Sequence, residues 1–330
     1  MSAYFEIPIS GVQIGHAEDL EVKTGTTSFL FDTPATCAAH IAGGAPGTRD
    51  TELLSPEFTV GQVDAVVLSG GSAYGLDAAG GAQAWLKEQG RGIELDPVRI
   101  PIVPCAILFD MRNDGNKEWG RYSPYRELGY AATDATTNRP QLGACGVGLG
   151  AATATTPGGF GAAGTQIGAV SIAGFAAVNA VGSPTIGDTD HFWAAPFERD
   201  AEFGGRGLPS PWPDDGDVPR TKSGQRVAGT NTTLGVVVTD ALLTPAQAKR
   251  VAISAHDGFA RALYPVHTPA DGDLIFVAST GQHAVTDEDL MDIGIQAANV
   301  ITRAIARGVY EAIPQEVSLH GAKDHGAKDA

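Results

Sequence analysis

Basic residues are scarce in this chain. Lys and Arg number 22 against 38 Asp and Glu, a formal net charge of −16 at pH 7. A surface this acidic repels phosphate backbones, and no Lys/Arg-rich segment offsets it, so nucleic acid is not expected as a partner. Cysteine is scarcer still: Cys37, Cys105 and Cys145 are the only three. They lie far apart and none sits in a C-x-x-C pair. That spacing offers neither a metal cluster nor a disulfide framework. Three reduced, buried thiols suit a cytoplasmic protein. Long apolar runs are missing too. No stretch reaches the roughly 18 residues of a membrane span, and MSAYFEIPISGVQIGHAEDL has no basic n-region or apolar h-region, so no membrane span and no signal peptide are expected.

Glycine, by contrast, is abundant, at 43 of 330 residues. With 43% hydrophobic and 18% charged residues, the composition is globular, with tight backbone packing and many turns. Thr26–Phe31 and Thr36–Ala42 read as strands, as does the apolar run VDAVVLS at 63–69. GGSAYG then leads into a helix over Leu76–Gln89. Residues 98–110 look like a strand interrupted by prolines, and 126–137 like a helix. The Gly/Ala-rich tract 141–183 offers strands at Gly168–Gly174 and Phe175–Val181. Residues 184–230 are polar, rich in Pro and Gly, and without period, which marks a functional or mobile loop. TLGVVV (233–238) and LIFVAS (274–279) are buried-strand signatures. Thr244-Pro-Ala-Gln247 combines an N-cap, Pro at the first helical position and a capping-box Gln, opening a helix over 245–263. Thr286 caps a last long helix with an apolar stripe from Leu290 to Ala304. The tail 319–330 is a low-complexity near-repeat.

Four segments bear chemically useful groups. In Gly229-Thr-Asn-Thr-Thr233 a polar loop meets a buried strand. A hydroxyl held there can attack the preceding carbonyl in an N-to-O acyl shift. Hydrolysis then frees a threonine whose α-amine, with an ordinary pKa of about 7.7–8.0, can act as base for its own hydroxyl. By spacing alone, a threonine packing at a strand start looks the same. Asp271-Gly-Asp273 sets two carboxylates at a strand entry, where they can hold a nucleophile or form a solvated turn. Ser69-Gly-Gly-Ser-Ala-Tyr-Gly75 sits between a strand and a helix. Tyr74 breaks the G-x-S-x-G elbow, but Ser72 and Tyr74 suit a substrate wall. Gly159–Gly164 spells G-x-G-x-x-G, yet a strand-like segment follows it where a dinucleotide site needs a helix.

Together these segments resemble the P1 family of self-processing peptidases, and most of all its nylon-oligomer (6-aminohexanoate oligomer) endo-hydrolases. The likeness runs through GVQIGH (11–16), GGAPGTRDT (43–51), LSGGSAYGLDAAGG (68–81), GACGVGLGA (143–151), AVNAVGSP (177–184), NTTLGVVVTD (231–240) and HTPADGDLIFVAST (267–280), in shared order. The resemblance implies a four-layer αββα sandwich of the DmpA/ornithine acetyltransferase-like type, an α/β fold. It implies autocleavage between Asn231 and Thr232, giving chains 1–231 and 232–330 that form one αββα domain. Thr232 is the implied nucleophile, Asn179 the amide supporting the oxyanion, and Asp271 and Asp273 the acidic pair. Tyr122, or Tyr125 across a small gap, matches a site tyrosine. No metal or organic cofactor is implied, and a homo-oligomer, a tetramer of αβ units, is. Aminopeptidase action on β- or D-amino peptides and ornithine acetyltransferase-like acyl transfer are the neighbouring activities. Thr155 is expected in the substrate pocket with Ser72 and Tyr74, and one departure stands out there: relatives often carry a Lys near its position, whereas this chain has ATATTPGG and no Lys in 118–221.

Overall fold

The computed structural model describes residues 3–222 and 231–314. The low-complexity tail and the last residues of the polar run (223–230) lie outside the described residues. The strands are β1 (Val12–Asp19), β2 (Thr24–Ile41), β3 (Thr48–Arg49), β4 (Gln62–Ser69), β5 (Ile93–Leu95), β6 (Val98–Ile100), β7 (Cys105–Ile107), β8 (Gly159–Ile167), β9 (Val170–Asn179), β10 (Thr232–Ala241) and β11 (Leu274–His283). The helices are α1 (Ala78–Glu88), α2 (Tyr125–Asp134), α3 (Pro245–Ala255), α4 (Asp257–Ala262) and α5 (Asp287–Ala312).

Strand β2 organises the molecule. Its first half lies between β1 and β4, and its last residues, Thr36–Ile41, pair with β11. The two β segments expected at 26–31 and 36–42 are thus one strand with an irregular register between Leu30 and Ala35. The order β3-β7-β4-β2-β11-β10-β9-β8 therefore forms one hydrogen-bonded sheet in two halves. These halves fold face to face. Phe29 of β2 meets Phe160 of β8 and Phe175 of β9, with ring centroids 6.3 and 5.3 Å apart, although these strands are not neighbours in the sheet. One apolar core fills the space between the halves. A second lies between β8–β11 and helices α3, α4 and α5. A third lies between β2, β4 and β7 and helices α1 and α2. Three cores separate four layers, the expected α, β, β, α arrangement.

Local chemistry explains most elements. All ten residues of β10 are buried, as its unbroken apolar run requires of a strand covered on both faces. Both capping boxes form: Thr244 with Gln247 opens α3, and Thr286 with Asp289 opens α5. Several boundaries differ from expectation. The helix expected over 245–263 divides at His256 into α3 and α4. The helix expected from Leu76 begins as a 3-10 turn over Ser72–Asp77. The segment 98–110 yields only the short β6 and β7. The strands expected at 168–174 and 175–181 are the single strand β9, entered through a turn with Gly168 at φ +55°.

The glycines at 159, 161 and 164 lie on β8, not in a loop that opens a helix. A Cβ on Gly161 would sit 2.0 Å from the Ala304 carbonyl oxygen, and one on Gly159 2.2 Å from that of Gly308. Gly159 and Gly161 are glycine because α5 presses directly onto the strand, while Gly164 faces Phe5 and Pro8. Cys37, Cys105 and Cys145 are all free and buried. Among the described residues no helix is long and apolar enough to cross a membrane.

Candidate active site

The site lies where β9 ends and β10 begins. These antiparallel strands place Asn179 directly opposite Thr232. Asn231 forms a parallel bridge to Asp271, and its carbonyl accepts from Gly272 N at 2.8 Å. Three separate sequence motifs thereby converge on one peptide bond. Thr232 is 2% exposed. Its Oγ1 donates to the Asn231 carbonyl oxygen at 2.5 Å, so the hydroxyl rests on the carbonyl that precedes it. Gly272 is needed for this placement, because a Cβ there would stand 2.6 Å from Thr232 Oγ1 and 2.8 Å from the Ala45 carbonyl.

The acidic pair is buried and fully engaged. Asp273 Oδ1 accepts from Thr233 N at 2.7 Å, and Oδ2 from His267 N at 3.0 Å and from His267 Nδ1 at 2.8 Å. Asp271 Oδ1 accepts from Val181 N at 3.2 Å, and Oδ2 from Thr268 N at 2.9 Å and Thr268 Oγ1 at 2.6 Å. Burial, and then the Asp273 carboxylate beside it, raise Asp271 above the usual carboxylate range. The two carboxyls sit in unlike surroundings: Asp273 holds the Thr233 backbone N–H, while Asp271 holds a proton more readily than an ordinary carboxyl.

Asn179 is equally constrained. Its Oδ1 accepts from Ala152 N at 3.1 Å and from Lys222 Nζ at 3.1 Å, while Nδ2 donates to the Phe109 carbonyl at 3.0 Å. A side-chain amide carries two N–H bonds, and the Phe109 carbonyl takes one of them.

Lys222 is the residue that sequence reasoning missed. It lies one position past the interval in which no lysine occurs, inside the long polar run. Its backbone N–H bonds the Val181 carbonyl at 3.0 Å, and Nζ also reaches the Asn179 carbonyl at 3.3 Å. Burial lowers its amine to about 7, with Asp271 pulling the other way. It faces a cavity of about 300 Å³ lined also by Asn179, Ala152, Thr153, Phe109 and Arg112. A cavity of about 370 Å³ lies away from these residues, between α3 and α5.

Other expected residues stand apart. Thr155 bonds Ser183 Oγ at 2.9 Å, beside the cavity-lining Thr153 and Ala154. Tyr122 is 80% exposed and does not line the cavity. Tyr125 is buried beneath Gly71, where a Cβ would lie 2.0 Å from its ring. Tyr74 is 57% exposed and rests edge-on against Trp119. Ser72 is half-buried with φ +52°, its N–H bonded to the Leu108 carbonyl. The structure therefore brings together Asn231, Thr232, Asn179, Asp271 and Asp273, and leaves Tyr122, Ser72 and Tyr74 outside that cluster.

A layered α/β sandwich with a hydroxyl, an amide and an acidic pair around one strand start is the framework of a peptide or amide hydrolase. The comparisons with known proteins agree. Residues 7–324 match Peptidase family S58, and the chain belongs to that family. An uncharacterised aminopeptidase of Mycobacterium tuberculosis is 36% identical over 93% of both chains. The 6-aminohexanoate-oligomer endohydrolase of Paenarthrobacter ureafaciens is 28% identical, over 84% of this chain and 75% of its own length. The L-aminopeptidase D-Ala-esterase/amidase of Ochrobactrum anthropi, described as a variant of the Ntn hydrolase fold, superposes with a TM-score of 0.70 at 20% identity, covering 92% of this chain and 85% of that one.

Proposed function

We infer that this protein is an autoprocessed N-terminal threonine hydrolase with Thr232 as nucleophile, cleaving linear amide oligomers of the 6-aminohexanoate type. The 2.5 Å contact of Thr232 Oγ1 with the Asn231 carbonyl carries the reading. In the intact chain Thr232 N is an amide and cannot act as a base. Lys222 supplies an amine that is partly neutral near pH 7, held on Asn179, the strand partner of Thr232. It thus offers, from another segment, the lysine absent near Thr155.

In processing, Thr232 Oγ1 bonds to the Asn231 carbonyl carbon and gives up its proton. The carbon–nitrogen bond breaks as that nitrogen takes a proton, leaving an ester. Water cleaves the ester to an Asn231 carboxylate and a Thr232 bearing a free α-amine. In turnover the α-amine takes the hydroxyl proton, Oγ1 attacks the substrate carbonyl, and the second N–H of Asn179 meets the oxyanion. The substrate amine leaves, and water releases the acyl group. No metal or organic cofactor enters this scheme.

Thr232→Ala is expected to remain one species of about 34 kDa by intact mass and to lose amide hydrolysis; cleavage at 231/232 with activity kept would sink the reading. The 36% identity to aminopeptidase-named proteins favours a second reading, removal of residues from free amino termini, including β- or D-amino ones. Amine-capped oligomers, cut by an endo-hydrolase and spared by an aminopeptidase, separate the two. Acyl transfer of the ornithine acetyltransferase type would show as an acylated product when an amine acceptor is added. A cytoplasmic homotetramer of αβ units belongs to the same proposal.

A further inference from the structure

Behind Asp273 stands a row of histidines that neither the motif reading nor the reaction scheme uses. His267, in the turn before β11, places Nδ1 2.8 Å from Asp273 Oδ2. Its Nε2 lies 3.3 Å from Nδ1 of His256, the residue that separates α3 from α4. His256 Nε2 lies 3.0 Å from the backbone carbonyl of His40 on β2. The His40 ring packs against His256 at 5.0 Å and the Phe259 ring against His267 at 5.4 Å. The row thus joins the acidic pair to three elements of the second core.

The protons in this row can be placed by elimination. A carbonyl oxygen only accepts, so His256 Nε2 carries a proton. Burial lowers His256 to about 4, so at neutral pH its ring is uncharged and Nδ1 is bare. A bare nitrogen accepts, so the bond across 3.3 Å needs a proton on His267 Nε2. On the other side, Asp273 already takes two backbone N–H bonds, from Thr233 and from His267 itself, and such bonds favour the ionised carboxylate. An ionised carboxylate also only accepts, so His267 Nδ1 carries a proton as well.

We propose that His267 is a positioning residue: a doubly protonated imidazole that clamps Asp273 as an anion and, through Asp273 Oδ1, fixes the Thr233 N–H next to Thr232. Asp273 faces it from the strand entry and the uncharged His256 ring from the α3–α4 break; His40 and, beside it, the Lys249 cation stand farther along the row, where the cation opposes a charge on His267 more weakly than the adjacent Asp273 carboxylate favours one. With His267 as a cation on Asp273 and Lys222 facing Asp271, each buried carboxyl has its own basic partner. His267 has φ +55°, a backbone region that Asn tolerates better than most residues. The Asn side chain also retains an N–H donor.

This inference rests on Thr232 being the nucleophile, but the state of the ring can be read without it. In protein labelled with 15N-histidine, ring-nitrogen NMR at pH 7 is expected to show two N–H protons on one imidazole, a signal that disappears in His267→Asn and persists in Thr232→Ala. A bare nitrogen on His267 overturns the proposal, whatever the fate of the nucleophile. His267→Ala is expected to lower kcat roughly tenfold to a hundredfold with little change in KM, the scale of one lost hydrogen bond to a charged group. His267→Asn is expected to recover most of that loss. Equal kcat in the Ala variant and wild type, or no recovery by Asn in a folded protein, overturns it too. A Thr232→Ala protein that still cleaves and still hydrolyses sinks the nucleophile reading instead and leaves the NMR result standing.

Discussion

Lys222 has consequences for stability as well as for chemistry. Its amine is lowered from 10.5 to about 7 by burial. Below about pH 7 the native state must hold a poorly solvated cation, and that cost is fully present. Between about 7 and 10.5 the unfolded chain still binds the proton while the native state releases it, so native stability rises with pH across that window. Lys222→Met is therefore expected to be more stable than wild type at pH 6, with the difference shrinking by pH 9. Urea unfolding at the two pH values measures this. The same variant is expected to process more slowly, as a time course of intact mass would reveal. Thr232, Asn179, Asp271 and Asp273 could be singled out because they sit in ordered motifs, and the structure brings them together. Lys222 could not, because its run has no period and no motif. It counts only because its backbone bonds Val181 and its amine reaches back to Asn179.

At the scale of elements, strand starts and close approaches between layers matter most. β10 delivers Thr232 because its ten buried residues leave the strand no freedom to slide; a one-residue slip would turn Thr232 to the opposite face. The G-x-G-x-x-G of β8 illustrates how a motif misleads without its context. On a strand, Gly159 and Gly161 mark where a helix backbone comes near. Gly161→Ala would press a methyl against the Ala304 carbonyl and is expected to cost about 1–3 kcal/mol, the range for overpacking in a tight core. Because β9 separates β8 from β10 and Gly161 pairs with Ala176 rather than with Asn179, processing at Thr232 should survive where the variant folds. Urea denaturation and intact mass on one sample check both parts. Capped helices were readable from Thr244 and Thr286, since capping depends on neighbours in sequence. The break at His256 was not, since that ring is held by His40 and His267 from other elements.

For the whole molecule, the position of β10 and β11 has a direct consequence. They lie between β2 and β9, so chains cut at 231/232 would remain interleaved in one sheet. The hairpin β5–β6 offers a surface for association. Its paired residues Ile93 and Ile100, Leu95 and Val98 are all exposed, an apolar face that a two-stranded hairpin does not bury by itself. Light scattering is expected to give a mass near four times 34.0 kDa, and Leu95→Glu with Val98→Glu to give a smaller species. A wild-type monomer would remove the oligomer from the proposal.

By itself the sequence determined the class of fold, the buried strands, the capped helices and the place of Thr232 at a strand start. Those follow from periodicity, local capping and ordered motifs, which short stretches of chain carry whole. Only the tertiary structure decided that β2 is one strand joining two stacked halves, that the Lys222 amine reaches Asn179, and that a histidine row stands behind Asp273. The reason is physical: each depends on groups far apart in sequence meeting in a buried space, where desolvation and hydrogen-bond geometry determine which of them meet and in what charge state.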